Sequence, residues 1–255
     1  MISEKAILIK DQIMVLIAKD FKLKYNSTAL GFLWSLCMPI AQSLVYFFAF
    51  RVIMRFKVDN YLLYMLSGMF LWNFFCSSII MSCNTFILNG QLIKKTSVTR
   101  HFLIQGTIAS EFIHFALTIP ILVILMIVSG IMPSWSFLFL PVVLINLSMF
   151  TLGCAFLAAT INMYLRDLER IIGILLQLAF FLIPIVYPLE SIPEKYRFYI
   201  KLNPFFYLLK SWRDIFYTPQ IDLADLGTGC LQSTVILVIG YLVYRYKEPR
   251  LAEMV

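Results

Sequence analysis

From Ile171 to Val186 the chain runs without a single charged side chain. That run is entered through Arg166, Asp167, Glu169 and Arg170 and left through Pro184-Ile-Val-Tyr-Pro188. In hydrocarbon every backbone N–H and C=O must be satisfied within the protein, so an apolar run of this kind has the helix as its one economical form. A charged threshold, an apolar rod, a proline break and an amphipathic return describe a helix that crosses a bilayer and folds partly back. Composition agrees: 61% of the 255 residues are hydrophobic and only 14% charged, where a soluble domain is nearer a quarter charged. The membrane segments use up the length, leaving no room for a sizeable soluble domain.

Read in order, the chain is an all-α integral membrane protein of one transmembrane domain over 1–255. Ser3 to Lys22 is amphipathic: Glu4, Lys5, Asp11, Gln12, Lys19 and Lys22 share an arc of roughly 120° opposite Ala6, Ile9, Ile13, Leu16 and Ile17. Such a helix lies in the interface plane and does not cross. Acids and lysines on a helical period also differ from the short basic lead of a cleavable signal. Six spans follow, at about 30–54, 61–83, 104–130, 137–163, 171–187 and 226–244. The third is too long to stand upright, so its crossing falls at 112–128. Pro39 inside the first span is tolerable where neighbouring helices or water take up the freed carbonyl.

Six spans put both termini on one side. Assigning them and the 84–101 and 164–170 loops to the cytoplasm collects 13 of the 21 Lys and Arg residues there, the direction in which loop charge orients a membrane protein. The formal net charge of +7 reads as that excess, and also suits anionic headgroups or an anionic lipid-linked cargo. Nothing in the charge pattern points to nucleic acid.

Few features carry chemistry. Glu111 and His114 are three apart, hence on one helical face; they are either a relay for proton-coupled transport or a pair beside the inner interface. Five cysteines, Cys37, Cys76, Cys83, Cys154 and Cys230, lie in apolar runs and read as packing residues. With two histidines and no Cys–His spacing, no metal site is arguable. The phosphate-cradling G-x-x-x-x-G-K-[ST] is missing, so any ATP that drives the protein is bound, with its magnesium, on another polypeptide. No cofactor is expected on this chain. Tyr46, Phe47, Phe48 and Phe50 in span one, and Phe180, Phe181 and Tyr187 in span five, offer faces suited to sugar C–H groups, or serve as packing. Asn203 caps and Pro204 starts a helix over 205–217 with Phe205, Leu208, Leu209, Trp212 and Phe216 on one face. Two short helices over 189–220, dipping back into the outer interface, would sit over any pore the spans enclose.

These motifs, in this order, resemble a known family. The sequence carries Lys24-Tyr-Asn-Ser-Thr-Ala-Leu-Gly-Phe-Leu-Trp34 with Pro39, then Asn89-Gly-Gln-Leu-Ile-Lys-Lys95, Tyr164-Leu-Arg-Asp-Leu168, Pro184-Ile-Val-Tyr187 and Leu202-Asn-Pro-Phe205. Together they resemble the membrane subunit of ABC exporters of cell-surface polysaccharides: O-antigen, capsule and teichoic acid. The resemblance implies a homodimer in the bacterial inner membrane, paired with two copies of a separate ATP-binding subunit and moving a polyprenyl-pyrophosphate-linked polysaccharide. It implies a coupling helix within 84–99, docking through Asn89, Leu92, Ile93 and Lys94, with Arg166 and Asp167 nearby. It further implies a channel lined by Trp34, Tyr46, Phe48, Phe180, Phe181 and Tyr187. Asn203, Pro204, Phe205 and Trp212 would then belong to an outer gate, and Lys24 and Arg166 would meet the pyrophosphate. The family tends to place a proline after the lysine of the 89–95 loop; this chain has Thr96-Ser-Val-Thr. An ABC permease for drugs or small lipids shares the architecture. A proton-coupled secondary transporter would need Glu111–His114, and a membrane glycosyl- or phosphotransferase would need Asp167 and Glu169.

Overall fold

The computed structural model describes residues 33–55, 58–95 and 99–254. The amphipathic 3–22 segment, the 24–31 hinge and Lys24 lie outside the described residues, and Trp34, Leu92 and Lys94 are described as backbone only. The described helices are α1 (Leu33–Phe47, continued by a wider π turn, Phe48–Ile53), α2 (Tyr61–Leu88), α3 (Gly90–Lys95), α4 (Arg100–Ala116) and α5 (Ile119–Val128). After a tight turn at Trp135–Phe139 come α6 (Leu140–Asn162), α7 (Leu168–Leu182), α8 (Glu194–Lys201), α9 (Pro204–Phe216) and α10 (Leu223–Met254). Among these residues, four helical stretches are long and apolar enough to cross a membrane: Tyr61–Leu88, Arg100–Val128, Trp135–Asn162 and Leu223–Pro249. With further shorter apolar helices beside them, this is an all-α integral membrane fold.

α2 is the axis. It is apolar around its whole circumference, the pattern of a helix surrounded by protein, and Leu63, Met65, Leu71, Cys83 and Phe86 on its different faces are all buried. α1 and α7 both run antiparallel to it. Ser43 reaches Met69 and Phe47 meets Tyr61; Phe180 meets Trp72, and Tyr61 donates to Val186 O, on the same face of α2. α1 and α7 are therefore parallel to each other, joined where Tyr46 and Phe180 stack at 5.5 Å.

α6 and α10 also run parallel, and they cross unusually closely. A Cβ on Gly153 would lie 2.6 Å from the Ile236 carbonyl, and one on Gly240 would collide with the Gly153 carbonyl. Small residues let membrane helices approach like this, because lipid supplies no hydrophobic drive and association rests on packing.

Three boundaries differ from the hydropathy reading, each for a local reason. The third stretch divides at Leu117–Thr118, because Pro120 lacks the N–H that would continue the ladder. α2 continues to Leu88 and α3 takes Gly90–Lys95, so most of the described part of the 84–99 connection is helical. α7 stops at Leu182, and Ile183 turns to extended geometry ahead of Pro184. Its 15 residues span only about 22 Å, short of the roughly 30 Å of bilayer hydrocarbon.

Candidate functional site

The broken end of α7 sets the chemistry of one end of the bundle. Extended backbone at membrane depth survives only where protein partners take up its polar groups. Here four consecutive carbonyls are each matched. Arg213 donates from Nη1 to Pro184 O at 2.6 Å and from Nη2 to Ile185 O at 2.5 Å. The Tyr61 hydroxyl donates to Val186 O at 2.6 Å, and the Tyr64 hydroxyl to Tyr187 O at 2.9 Å. Arg213 also donates to the Tyr64 hydroxyl at 2.8 Å, and its guanidinium carbon lies 3.7 Å from the centre of the Tyr64 ring. A planar fork of five donors suits this cradle in a way that a lysine ammonium does not.

α9 delivers Arg213 because it is a core element. Phe205, Leu208, Leu209, Trp212, Ile215 and Phe216 are all buried. Trp212 Nε1 donates to Ser67 O at 3.1 Å, while Phe205 packs edge-on to Trp72 at 5.1 Å. The Asn203 side chain accepts from Phe205 N at 3.0 Å, and Pro204 takes the first turn, the capping arrangement that the sequence predicts. The predicted gate residues Phe205 and Trp212 thus anchor α9 inside the bundle. α8 is the exposed member of the pair, with Tyr196, Phe198 and Tyr199 outward. Gly68 makes room for the arrangement: a Cβ there would lie 2.6 Å from Arg213 Nη2.

Beside this seal lies a cavity of about 430 Å³, lined by Tyr64, Pro184, Pro188, Lys210, Arg213 and Asp214 among others. Burial pushes the Asp214 carboxyl up, opposed in part by the Thr218 hydroxyl it accepts from. At the start of α10, Asp222 accepts from the backbone N–H groups of Asp225 and Ala224, which hold its carboxyl low. Lys210 pairs with Asp225 and Asp222, tying α9 to α10.

The predicted channel aromatics separate. Tyr46 and Phe180 stack together; Phe180 is buried and Tyr187 half-buried, its hydroxyl donating to Phe181 O at 2.7 Å. Phe48 and Phe181 stand outward from the single chain, 59% and 56% exposed.

The opposite end gathers the predicted coupling residues. Asn89 sits between α2 and α3, its side chain donating to Thr85 O at 2.8 Å, and Ile93 N donates to Asn89 O at 3.0 Å. Ile93 packs against a buried cluster that includes Cys83 and Phe86. Arg166 and Asp167 are exposed at this same end. Asn162, which the sequence reading passed over, fastens it: its amide donates to Cys83 O at 2.8 Å and accepts from Glu169 N at 3.2 Å. Glu111 and His114 turn into the bundle interior, and neither is unpartnered. Among the described residues no group of three or more His, Cys, Asp or Glu side chains is placed to hold a metal ion.

Arg213, Tyr61, Tyr64 and Gly68 are the residues that sequence reasoning missed. The available signal was an arginine flanked by Trp212 inside an apolar phase, and two tyrosines three apart at the mouth of a span.

Comparison with known proteins places this architecture. Residues 11–217 match the family model of the ABC-2 type transporter. The chain is 34% identical over 245 residues to an O-antigen export system permease protein, RfbA, of Klebsiella pneumoniae, covering 96% of this chain and 95% of that protein. It is 29% identical to the RfbA permease of Myxococcus xanthus, over 94% of both chains. It is 22% identical to the polysialic acid transport protein KpsM of Escherichia coli, again over 94% of both. A match spanning both the α7 break and the α2–α3 corner identifies this chain as a member of the ABC-2 type transporter family.

Proposed function

We propose that this chain is the membrane-spanning subunit of an ATP-driven exporter that moves polyprenyl-pyrophosphate-linked polysaccharide, O-antigen-like, across the bacterial inner membrane. The observation that carries the reading is end-to-end similarity to proteins named as O-antigen export permeases, over 96% of this chain. Two copies pair about a twofold axis, and each engages one copy of a separate ATP-binding subunit. Both termini are cytoplasmic, so the α3 end faces the ATPase and the Arg213 end faces outward. Neither the energy source nor a catalytic group is expected on this chain; its work is to hold, open and close a path.

Nucleotide binding closes the ATPase pair and pushes on Asn89, Leu92, Ile93 and Lys94. Because α3 continues from α2 through Asn89, and Asn162 ties α2 to the start of α7, the push reaches the span that borders the path. Lys24 and Arg166 meet the pyrophosphate at the inner interface, the lysine as a point charge and the arginine as a planar fork of donors. Sugars then slide past aromatic faces without tight binding, as transport of a long polymer requires. The outer helices close over the exit.

Substituting Leu92, Ile93 and Lys94 together by alanine tests the coupling assignment. The complex is expected to lose export and to uncouple its ATPase from transport, while the permease stays folded and monodisperse. Unaltered export by that variant would refute the docking site.

A further inference from the structure

Two amides stand where hydrocarbon-facing residues are expected. On α1 the outward side chains include Met38, Leu44 and Val45; on α7 they include Ile174, Leu178 and Leu182. Each of these faces carries one exposed amide, Gln42 and Gln177. Neither is among the residues that find a hydrogen-bond partner in the described chain. Two outward threonines on α10 behave differently. Thr228 returns its hydroxyl to Ala224 O at 2.9 Å and Thr234 to Cys230 O at 2.8 Å, so each satisfies itself within its own helix. A glutamine amide left without partners is strongly disfavoured in lipid, and these two have taken no such local remedy.

Their placement is not scattered. Gln42 is one turn before Tyr46, and Gln177 one turn before Phe180. Those two rings stack at 5.5 Å. With α1 and α7 parallel, both amides lie on the same side of that stack, on two helices that stand side by side.

We propose that Gln42 and Gln177 form a neutral polar collar in the transport path, hydrogen-bonding the hydroxyls of the passing glycan. The proposal rests on the export reading above and names how that path handles its cargo. A carboxamide offers two donors and one acceptor, so it can pair with sugar hydroxyls in either sense. Being uncharged, it releases them without an ion pair to break. Tyr46, half-buried with Phe180 buried behind it, leaves part of its ring as the apolar surface that sugar C–H faces prefer. Two copies of the chain would present four such amides.

The test uses the full complex with its ATPase in proteoliposomes, with Cys37, Cys76, Cys83, Cys154 and Cys230 replaced by serine or alanine. Gln42→Cys and Gln177→Cys variants are treated with a membrane-impermeant charged thiol reagent, with and without ATP and lipid-linked glycan. Labelling at both positions during ATP turnover, with protection by the glycan, is expected. Separately, the Gln42→Leu/Gln177→Leu pair is expected to slow export about tenfold, the scale of one or two lost hydrogen bonds. The same pair should leave the melting temperature and nucleotide hydrolysis in place. Three results overturn the collar: reaction only with a lipid-soluble reagent, cross-linking of the two copies at these positions without aqueous labelling, or unchanged export by the leucine pair. If the unmodified complex exports no glycan at all, the export reading itself falls, and that outcome is distinct from failure of the collar alone.

Discussion

Replacing Arg213 by methionine is expected to collapse the sealed end of the bundle. The change keeps the side-chain bulk in place and removes every donor. Ile185 O, now held at 2.5 Å, would face no partner in a water-poor setting, and Pro184 O would exchange a 2.6 Å bond for the longer one from the Tyr64 hydroxyl at 3.3 Å. Each buried polar group so abandoned costs about 1–3 kcal/mol, against a net stability of only about 5–15 kcal/mol for a folded domain. The Tyr64 ring would also lose its cation at 3.7 Å. Lysine should restore the charge without spanning both carbonyls, and so recover a minor part of the loss. Gly68→Ala is the milder probe, since its Cβ would press chiefly on a side chain, Arg213 Nη2 at 2.6 Å, and meet backbone only at Ile185 O, 3.3 Å away. Melting temperature of the detergent-purified protein is the measurement. The order expected is wild type, then Gly68→Ala, then Arg213→Lys, with Arg213→Met lowest. A wild-type melting temperature for Arg213→Met would show that the extended segment stands without its donors.

The crossing of α6 and α10 carries the second large effect. Gly153→Leu places a branched side chain where the Ile236 backbone already lies 2.6 Å from the first added atom, and Gly240→Leu strikes the Gly153 carbonyl. Overpacking that side chains can absorb costs about 1–3 kcal/mol. Here the obstacle is backbone, so relief requires the two helices to separate, breaking contacts along Phe156, Tyr241 and Tyr244. Either variant is expected to elute as aggregate in detergent, with little monodisperse protein. A monodisperse, wild-type elution profile for both would mean that the close approach is not needed for folding.

These two sites show where the sequence was legible. Runs of apolar residues between charged thresholds announce membrane helices, because hydrocarbon leaves the backbone no other option. The cap at Asn203-Pro204 announces the start of α9, because the cap is chemistry between near neighbours. Arg213 was invisible for the opposite reason. Its partners lie on α2 and on the 183–187 break, far away in the chain, and an arginine within an amphipathic phase reads as solvated until its neighbours are known. The burial of Phe205 and Trp212 was hidden in the same way: their helix is amphipathic, yet what covers its polar side is another part of the same protein. Gly153 and Gly240 carry no periodic signal, since their role exists only once two helices meet. Pro120 stood in plain view and ends a helix for a local reason, but the apolar run around it was continuous enough to mask the break.

Under the proposed function, this chain is one half of a paired conduit whose driving force resides in a separate ATP-binding polypeptide. Reconstituting the purified chain in liposomes loaded with lipid-linked polysaccharide, with and without that polypeptide and ATP, tests it most directly. Glycan should become accessible on the far side only when both chains and hydrolysable nucleotide are present. Movement of glycan by this chain alone, without a nucleotide-hydrolysing companion, would contradict the account.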